Sequence, residues 1–406
     1  MKTFVLLLLS SLSAIAQINF KTPTTQGPTP WSNLKFNDKP GQFQFAIVTD
    51  RTGGHRPGVF EDGVKKLNLL QPEFVMSVGD LIEGYTRDTV KIKTQWDEFD
   101  GFISKLQMPF FYLPGNHDYT NEVMRDTWAK RYGPDHYYFI YQDVLFLCLN
   151  SEDNLRGSTK GSIGDPQYDW IKKVLAENKE VKWTMVFMHQ PLWDQTTDPM
   201  RWFDVEGLLK PRKHTVFVGH KHNYVAYERN NSNYYILATT GGGSSLRGPE
   251  LGEFDHLTWV TMTDEGPIMA NLALNGIHDD KVFTSDMKAF SSKVFASKMI
   301  KIDPLKVTSD NFQNSEIEIR ITNDLNLPMK VKLSHSFNWD MKADIENAEQ
   351  DLGPNSVSFA KMTVSSRRAK AISEMSALKV KAIVEIPSHY NLPAMEIPFV
   401  FEIKPE

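Results

Sequence analysis

The sequence has a single cysteine and, beyond its first residues, no long apolar run. Cys148 lies within the apolar stretch 144–149, where a buried small side chain is a far more common role than a nucleophile. One thiol cannot form an internal disulfide, so the fold must be stable through its core alone. No later segment reaches the roughly 18 consecutive apolar residues of a spanning helix, so we expect no membrane span.

An excess of positive charge is also absent. The 406 residues carry a formal net charge of −5, which predicts no nucleic-acid-binding surface and no general affinity for anionic membranes. An anionic substrate would therefore need local positive charge, which bound metal ions can supply. No feature of the sequence indicates an oligomeric state.

The first 16 residues have the pattern of a secretory signal peptide. Lys2 supplies the positive start, residues 4–9 form an apolar core, and the small residues of 14–16 suit cleavage before Gln17. The apolar core is too short to span a bilayer, and an N-terminal anchor helix is the less common alternative. We expect an exported protein, either periplasmic or secreted.

The remaining chain divides by composition and periodicity. Residues 17–40 are rich in proline, threonine and asparagine and predict a lead-in segment. Within 41–280, apolar strands alternate with amphipathic helices, which predicts an α/β catalytic domain. Residues 281–300 are a predicted connector. Across 301–406 the apolar residues recur with a period of two, as in a small antiparallel, immunoglobulin-like β-sandwich.

Polar residues follow five of the predicted strands. In chain order these residues are Asp50, Asp80, Asn116, His189, and the pair His220 and His222. The carboxyl ends of strands in an open α/β sheet are where such a fold places its chemistry. Carboxylate and amide oxygens mixed with imidazole nitrogens suit Mn, Fe, Zn or Co better than calcium. Residues two apart on a strand point the same way, so the paired histidines could each reach one of two adjacent ions.

His117 and Asp118 directly follow Asn116 in the stretch 115–118. A histidine can carry a proton, and an aspartate can hold that histidine in one tautomer. Two metal ions about 3.5–4 Å apart can clamp an in-line displacement at phosphorus and lower the pKa of a bound water. A purely structural polar network is the alternative interpretation of these residues.

The order of these motifs resembles the calcineurin-like metallophosphoesterases. The matching motifs, within about residues 43–274, are Asp50, Gly79-Asp80-x-x-Glu83, Gly115-Asn116-His117-Asp118, His189 and Gly219-His220-x-His222. The resemblance implies a four-layer α/β/β/α sandwich around two mixed sheets, here followed by the β-domain. It also implies a hydrolase that cleaves a phosphomonoester or phosphodiester by attack of metal-bound hydroxide. Its cofactors would be two divalent or trivalent ions of Mn, Zn, Fe or Co.

The same resemblance implies a role for each residue. Asp80 would bridge the two ions. The other ligands would divide between the ions, with Asp50 and His222 on the first, and Asn116, His189 and His220 on the second. His117 would stabilise the transition state or protonate the leaving oxygen, and Asp118 would orient it.

Two positions depart from the family pattern. The family usually places a histidine two residues after its first aspartate, where this chain has Thr52. Purple acid phosphatases place a tyrosine three residues after the bridging aspartate, where this chain has Glu83, so iron–tyrosinate chemistry is not expected. His55 is the predicted replacement ligand because its loop contains glycines that permit an unusual path. Glu83 is its rival, and water or no ligand is the third option.

Arg51 and Arg247 lie near motif loops and are candidates for binding phosphate oxygens, although such arginines are more often solvated. The altered first site also leaves a second function open. The chain could be a catalytically impaired metallophosphoesterase-like scaffold that binds a glycan or protein. His117 and Asp118 favour the enzyme, because a binding protein needs no proton donor.

Overall fold

The structure is a computed structural model. It describes residues 20–23, 26–37, 42–155, 160–194, 201–274, 276 and 278–406. The predicted signal peptide, residues 1–16, lies outside the described residues, as does part of the predicted lead-in segment. In the described chain, no helix combines the length and apolar character needed to cross a membrane.

The N-terminal region alternates strands and helices. Its strands are β1 (Phe20–Lys21), β2 (Phe43–Val48), β3 (Phe74–Ser77), β4 (Phe110–Phe111), β5 (Tyr137–Tyr141), β6 (Val144–Cys148), β7 (Trp183–Phe187), β8 (His214–Val218), β9 (Val225–Arg229), β10 (Ser232–Ile236), β11 (His256–Met262), β12 (Pro267–Ala273) and β13 (His278–Asp279). Its helices are α1 (Val59–Leu70), α2 (Thr89–Ile103), α3 (Glu122–Tyr132), α4 (Asp165–Glu177) and α5 (Trp202–Leu209).

These strands form two mixed sheets. One has the order β1-β5-β6-β7-β8-β10-β9 and the other β13-β12-β11-β2-β3-β4. Strands β6, β7, β8 and β10 are parallel, and so are β2, β3 and β4. Because the carboxyl ends of parallel strands meet at one edge, the loops after these strands are brought together.

The two sheets pack face to face through large apolar side chains. The rings of Phe45 and Phe74 on the six-stranded sheet stack at 5.3 Å, and Phe146 of the seven-stranded sheet meets both edge-on. Helices α1, α2 and α3 form a separate core with the other face of the six-stranded sheet. Strands β6 and β8 are buried on both faces, with α4 and α5 among the elements that cover them. The predicted four-layer α/β/β/α sandwich is confirmed.

The C-terminal region is antiparallel, as its period-two pattern predicts. Its strands are β14 (Ile300–Ile302), β15 (Ser315–Asn323), β16 (Met329–His335), β17 (Met341–Glu346), β18 (Glu349–Leu352), β19 (Ser356–Ser366), β20 (Leu378–Ile386) and β21 (Met395–Ile403). They form two four-stranded sheets with the orders β14-β15-β19-β17 and β18-β16-β20-β21. Helix α6 (Ser285–Ala296) lies within the predicted connector and packs on this sandwich, where Phe295 and Phe399 are 5.0 Å apart.

Candidate metal centre

Six side chains converge at the carboxyl ends of the parallel strands. They are Asp50 after β2, Asp80 after β3, Asn116 after β4, His189 after β7, and His220 and His222 after β8. Five of them form two groups whose ligand atoms all lie within 4.8 Å of one another. We call these groups the first group (Asp50, Asp80, His222) and the second group (Asp80, His189, His220). The Asp80 carboxylate belongs to both.

Asn116 extends the second group. Its Oδ1 lies 2.9 Å from His189 Nε2 and 2.7 Å from His220 Nδ1. The Asp80 Oδ2 atom lies 3.2 Å from the same nitrogen of His189. A carboxylate oxygen, two imidazole nitrogens and an amide oxygen therefore face one point, and this donor set fits an ion of Mn, Zn, Fe or Co.

The first group offers three ligand atoms. His222 Nε2 lies 3.3 Å from Asp50 Oδ1. Asp50 is itself held by the Thr49 hydroxyl at 2.6 Å and by the His220 backbone amide at 2.9 Å. The set again suits a transition-metal ion, but with one protein ligand fewer than the second group.

Backbone carbonyls hold the outward-facing nitrogens of two histidines. His189 Nδ1 donates to the Val78 carbonyl at 2.8 Å, and His222 Nδ1 donates to the Gly243 carbonyl at 2.5 Å. Each bond leaves Nε2 directed at the ligand groups and sets the tautomer that a metal requires.

Glycines and strained backbone permit the close packing of these loops. A β-carbon on Gly219 would lie 2.1 Å from Asp50 Oδ2, and one on Gly115 would lie 2.3 Å from Asp80 Oδ1. Asp80 and His220 themselves have positive φ angles of 57° and 72°. Side chains other than glycine seldom occupy that region, and where they do, the strain is often stored at a functional site.

Two of the histidines hold protons tightly when no cation competes for their nitrogens. Burial lowers the pKa of His189, but the charge and hydrogen bond of Asp80, together with the charges of Asp50 and Glu152, raise it to about 10. Burial also lowers the pKa of His222, but the hydrogen bond and charge of Asp50, with smaller contributions from Gly243 and Asp80, raise it to about 9. For His220, burial and the charge of His189 lower the pKa to about 4. A bound cation would therefore displace protons from two of the three imidazoles.

His117 borders the same space. Its Nδ1 lies 2.7 Å from the Glu83 carbonyl oxygen, so the Nε2 end of the ring is the end available to a substrate. A β-carbon on Gly53 would lie 3.5 Å from His117 Nε2 and 3.3 Å from His222 Nε2. His117 Nε2 and His222 Nε2 thus both border the space that Gly53 leaves open.

The structure does not show Asp118 orienting His117. The Asp118 carboxylate accepts hydrogen bonds at 2.9–3.0 Å from three backbone amides, those of Leu81, Ile82 and Gly115. Burial, followed by the charge of Asp80, raises its pKa to about 8. Asp118 therefore ties two motif loops together. The backbone carbonyl of Glu83 instead contacts the His117 ring and orients it, which is the role that the family resemblance implies for Asp118.

Residues 44–224 match the calcineurin-like phosphoesterase family. This segment belongs to that family. The chain is 26% identical over 252 residues to the serine/threonine-protein phosphatase CPPED1 of Mus musculus, covering 54% of this chain and 76% of the relative. It is 22% identical over 125 residues to the probable glycerophosphodiester phosphodiesterase GpdQ of Arcobacter nitrofigilis, covering 30% of this chain and 42% of the relative. A dimetal phosphatase structure from Danio rerio aligns with a TM-score of 0.46 at 13% identity, covering 58% of this chain and 98% of that one.

The protein is accordingly a metal-dependent phosphoesterase. At Thr52, where its phosphoesterase domain departs from the family pattern, the hydroxyl lies 3.0 Å from the carbonyl oxygens of both Asp80 and Ile82. The structure does not bring His55 to the ligand groups. His55 Nδ1 lies 3.0 Å from Glu83 Oε1, so the two expected replacements for the missing histidine pair with each other instead.

The two arginines expected to bind phosphate are engaged elsewhere in the phosphoesterase. Arg51 is buried, pairs at 3.2 Å with Glu98 on α2 and donates to the Leu81 carbonyl oxygen at 3.2 Å. Arg247 Nε donates to Glu253 at 2.9 Å, and its guanidinium lies over the Phe295 ring at 5.3 Å. Neither contact supports the predicted role in substrate binding.

Tyr85 is a site residue that the sequence did not reveal. Its hydroxyl accepts a hydrogen bond from Asn116 Nδ2 at 2.8 Å, and its ring meets the His117 ring edge-on at 4.6 Å. It lies outside every motif, in a loop with a positive φ of 47°. No periodicity or spacing marks such a position.

The raised pKa values predict pH-dependent metal affinity. His189 belongs to the second group and His222 to the first, so each ion must displace one proton below about pH 9. The affinity should rise about tenfold per pH unit and then level off, near pH 9 for the first group and near pH 10 for the second. Chelator competition between pH 6 and 10 measures this, and proton release at pH 7 checks the count. A pH-independent affinity would contradict the account.

Unequal ligand sets predict unequal binding. The first group has three protein ligand atoms and the second has four with Asn116, so titration should show a weaker and a tighter ion. His222→Ala should abolish the weaker step and spare the tighter one. The matched control is His55→Ala, which should leave both affinities unchanged because His55 contacts Glu83 rather than the ligand groups. Loss of one ion in the His55 variant would restore that residue as a ligand.

Proposed function

We propose that the protein is an exported, dinuclear-metal phosphoesterase that hydrolyses a phosphomonoester or phosphodiester. The observation that carries this proposal is the shared position of Asp80 in two adjoining groups of ligand atoms, with His117 beside them. The ligand atoms are of the types that transition-metal ions prefer, and glycines let the loops that carry them pack closely. Backbone carbonyls also hold two of the histidines in the tautomer that a metal requires. When bound, such ions supply an activated water and neutralise charge on the phosphoryl group.

The protein's own groups divide the remaining work. Asp80 would hold both ions, Asp50 and His222 would complete the first site, and the second-group residues with Asn116 would complete the other. His117 Nε2 would stabilise negative charge on the phosphoryl group or donate a proton to the leaving oxygen. The Glu83 carbonyl holds the ring so that Nε2 faces the gap beside Gly53.

The substrate class is open to a direct test. The named relatives divide between a protein phosphatase and a glycerophosphodiester phosphodiesterase. We propose screening the metal-loaded protein with an aryl phosphomonoester, a bis-aryl phosphodiester and a glycerophosphodiester, each with and without chelator. Metal-dependent turnover of any of these supports the enzyme. Undiminished turnover by a demonstrably metal-free protein, or no turnover with both groups loaded, would reject the proposed mechanism and favour the scaffold alternative.

Export and domain roles are part of the same proposal. Export is proposed from the signal-peptide pattern of residues 1–16. Mass spectrometry of the mature protein tests it, and the expected mass is that of a chain beginning at Gln17. We assign catalysis to residues 41–280 and an accessory role to the β-sandwich of 301–406, which contributes no residue to either ligand group. Buried apolar residues form one continuous cluster that includes both regions. Removing the sandwich would therefore expose part of that core.

Separate variants should distinguish His117 from Asp118. His117→Ala should lower kcat by about 10²–10⁴-fold, the usual contribution of a general acid, with metal content unchanged. Asp118→Ala should instead lower Tm and metal affinity, because three buried backbone amides lose their acceptor. A fall in kcat as large as that of the His117 variant, with Tm and metal affinity unchanged, would show that Asp118 orients His117 after all.

A further inference from the structure

Tyr85 touches two members of the proposed machinery at once. Its hydroxyl accepts from the Asn116 amide at 2.8 Å, while its ring lies 4.6 Å from that of His117, with the planes at 86°. The side chain is 44% exposed, so it stands at the accessible side of the site. We propose that Tyr85 is a positioning residue that holds Asn116 in its metal-binding orientation and keeps the His117 ring in place. This inference rests on the proposed function.

The two ends of the Asn116 amide must point in different directions. Only Oδ1 can bind a metal, and it points at His189 and His220 at 2.9 and 2.7 Å. The Nδ2 end must then find an acceptor on the opposite side, and the Tyr85 hydroxyl provides one. A buried amide without that acceptor would pay a desolvation cost and could rotate, which would bring a non-ligating nitrogen towards the ion.

Tyr85 restrains the His117 ring sterically. Its Nδ1 contact with the Glu83 carbonyl fixes one end of the ring but permits rotation about that contact. The edge-on contact with Tyr85 blocks that rotation, and it is the geometry that aromatic pairs prefer.

The loop that carries Tyr85 is rigid enough to act in this way. A β-carbon on Gly84 would lie 1.7 Å from the His117 carbonyl oxygen, so this loop packs directly on the motif. The Gly84 amide also donates to Gln95 Oε1 on α2 at 3.0 Å. Tyr85 is thus presented from a backbone that is tied both to the motif and to a helix.

Two substitutions separate the two roles. Tyr85→Phe removes the acceptor but keeps the ring, so the affinity of the second group for Mn or Zn should fall by about 10–100-fold, the usual effect of losing an outer-shell partner. At saturating metal its kcat should return to near the wild-type value. Tyr85→Leu removes the ring as well, so its kcat should stay low at saturating metal, where that of Tyr85→Phe recovers.

The control is Tyr119→Phe, which deletes a buried hydroxyl that contacts Asp135 and neither Asn116 nor His117. It should leave metal affinity and pH profile unchanged. Metal affinities are measured by competition with a chromophoric chelator, so they do not depend on finding a substrate.

The possible results separate this inference from the proposed function. If the wild-type protein binds two ions and Tyr85→Phe binds them with the wild-type affinities, the inference fails and the proposed function stands. If Tyr85→Leu recovers the full wild-type kcat at saturating metal, the proposed role of Tyr85 towards His117 is wrong. A wild-type protein that binds no ion overturns both.

Discussion

The Asp80 carboxylate is shared by two groups of ligand atoms. Asp50 and His222 complete one group, and His189 and His220 complete the other, with every ligand atom of each group within 4.8 Å of the others. Asp50, Asp80 and His189 are almost fully buried, and ionisable groups in such positions carry a large desolvation cost unless charges of opposite sign lie among them. Protons on His189 and His222 supply that charge here, and metal ions would supply more of it. The loops at the sheet edge bring these residues together so that groups of opposite charge lie next to each other.

Several contacts hold the Asp80 carboxylate in place although the Asp80 backbone is strained. Asp80 has a positive φ, its Oδ1 accepts the His117 backbone amide at 2.9 Å, and Gly115 packs so closely that any β-carbon would collide with it. Asp118 adds a second tie by capping the amides of Leu81 and Ile82. A loop fixed by this many contacts loses little entropy when a ligand binds, which is the physical meaning of preorganisation. The same loop reaches His117 and Tyr85, so ligand geometry and proton donor are positioned together.

The fold and the ligand cluster could be predicted because both follow from repeating patterns. Parallel strands deliver their carboxyl ends to one edge, so polar residues after five strands had to meet there. Helix α3 shows the limit of such patterns, because its buried residues, Met124, Trp128 and Tyr132, are few on a strongly polar helix and leave no apolar stripe in the sequence.

Side-chain direction in loops was the part that the sequence could not supply. Arg51 follows Asp50 directly, and successive side chains leaving a strand point to opposite sides, so it faces α2 rather than the site. His55 was expected to replace the missing histidine because it is near in sequence, yet a glycine-rich loop carries it to Glu83. Tyr85 reaches Asn116 only through a left-handed backbone that no residue pattern announces.

The claim that two ions share Asp80 can be tested most directly by anomalous X-ray diffraction from crystals of Mn-loaded protein. We expect two peaks about 3.5–4 Å apart, the usual spacing in two-metal sites, one on each side of the Asp80 carboxylate. The peak beside Asn116 should have the higher occupancy at limiting metal. A single peak at saturating metal, or two peaks of which only one contacts Asp80, would contradict the account.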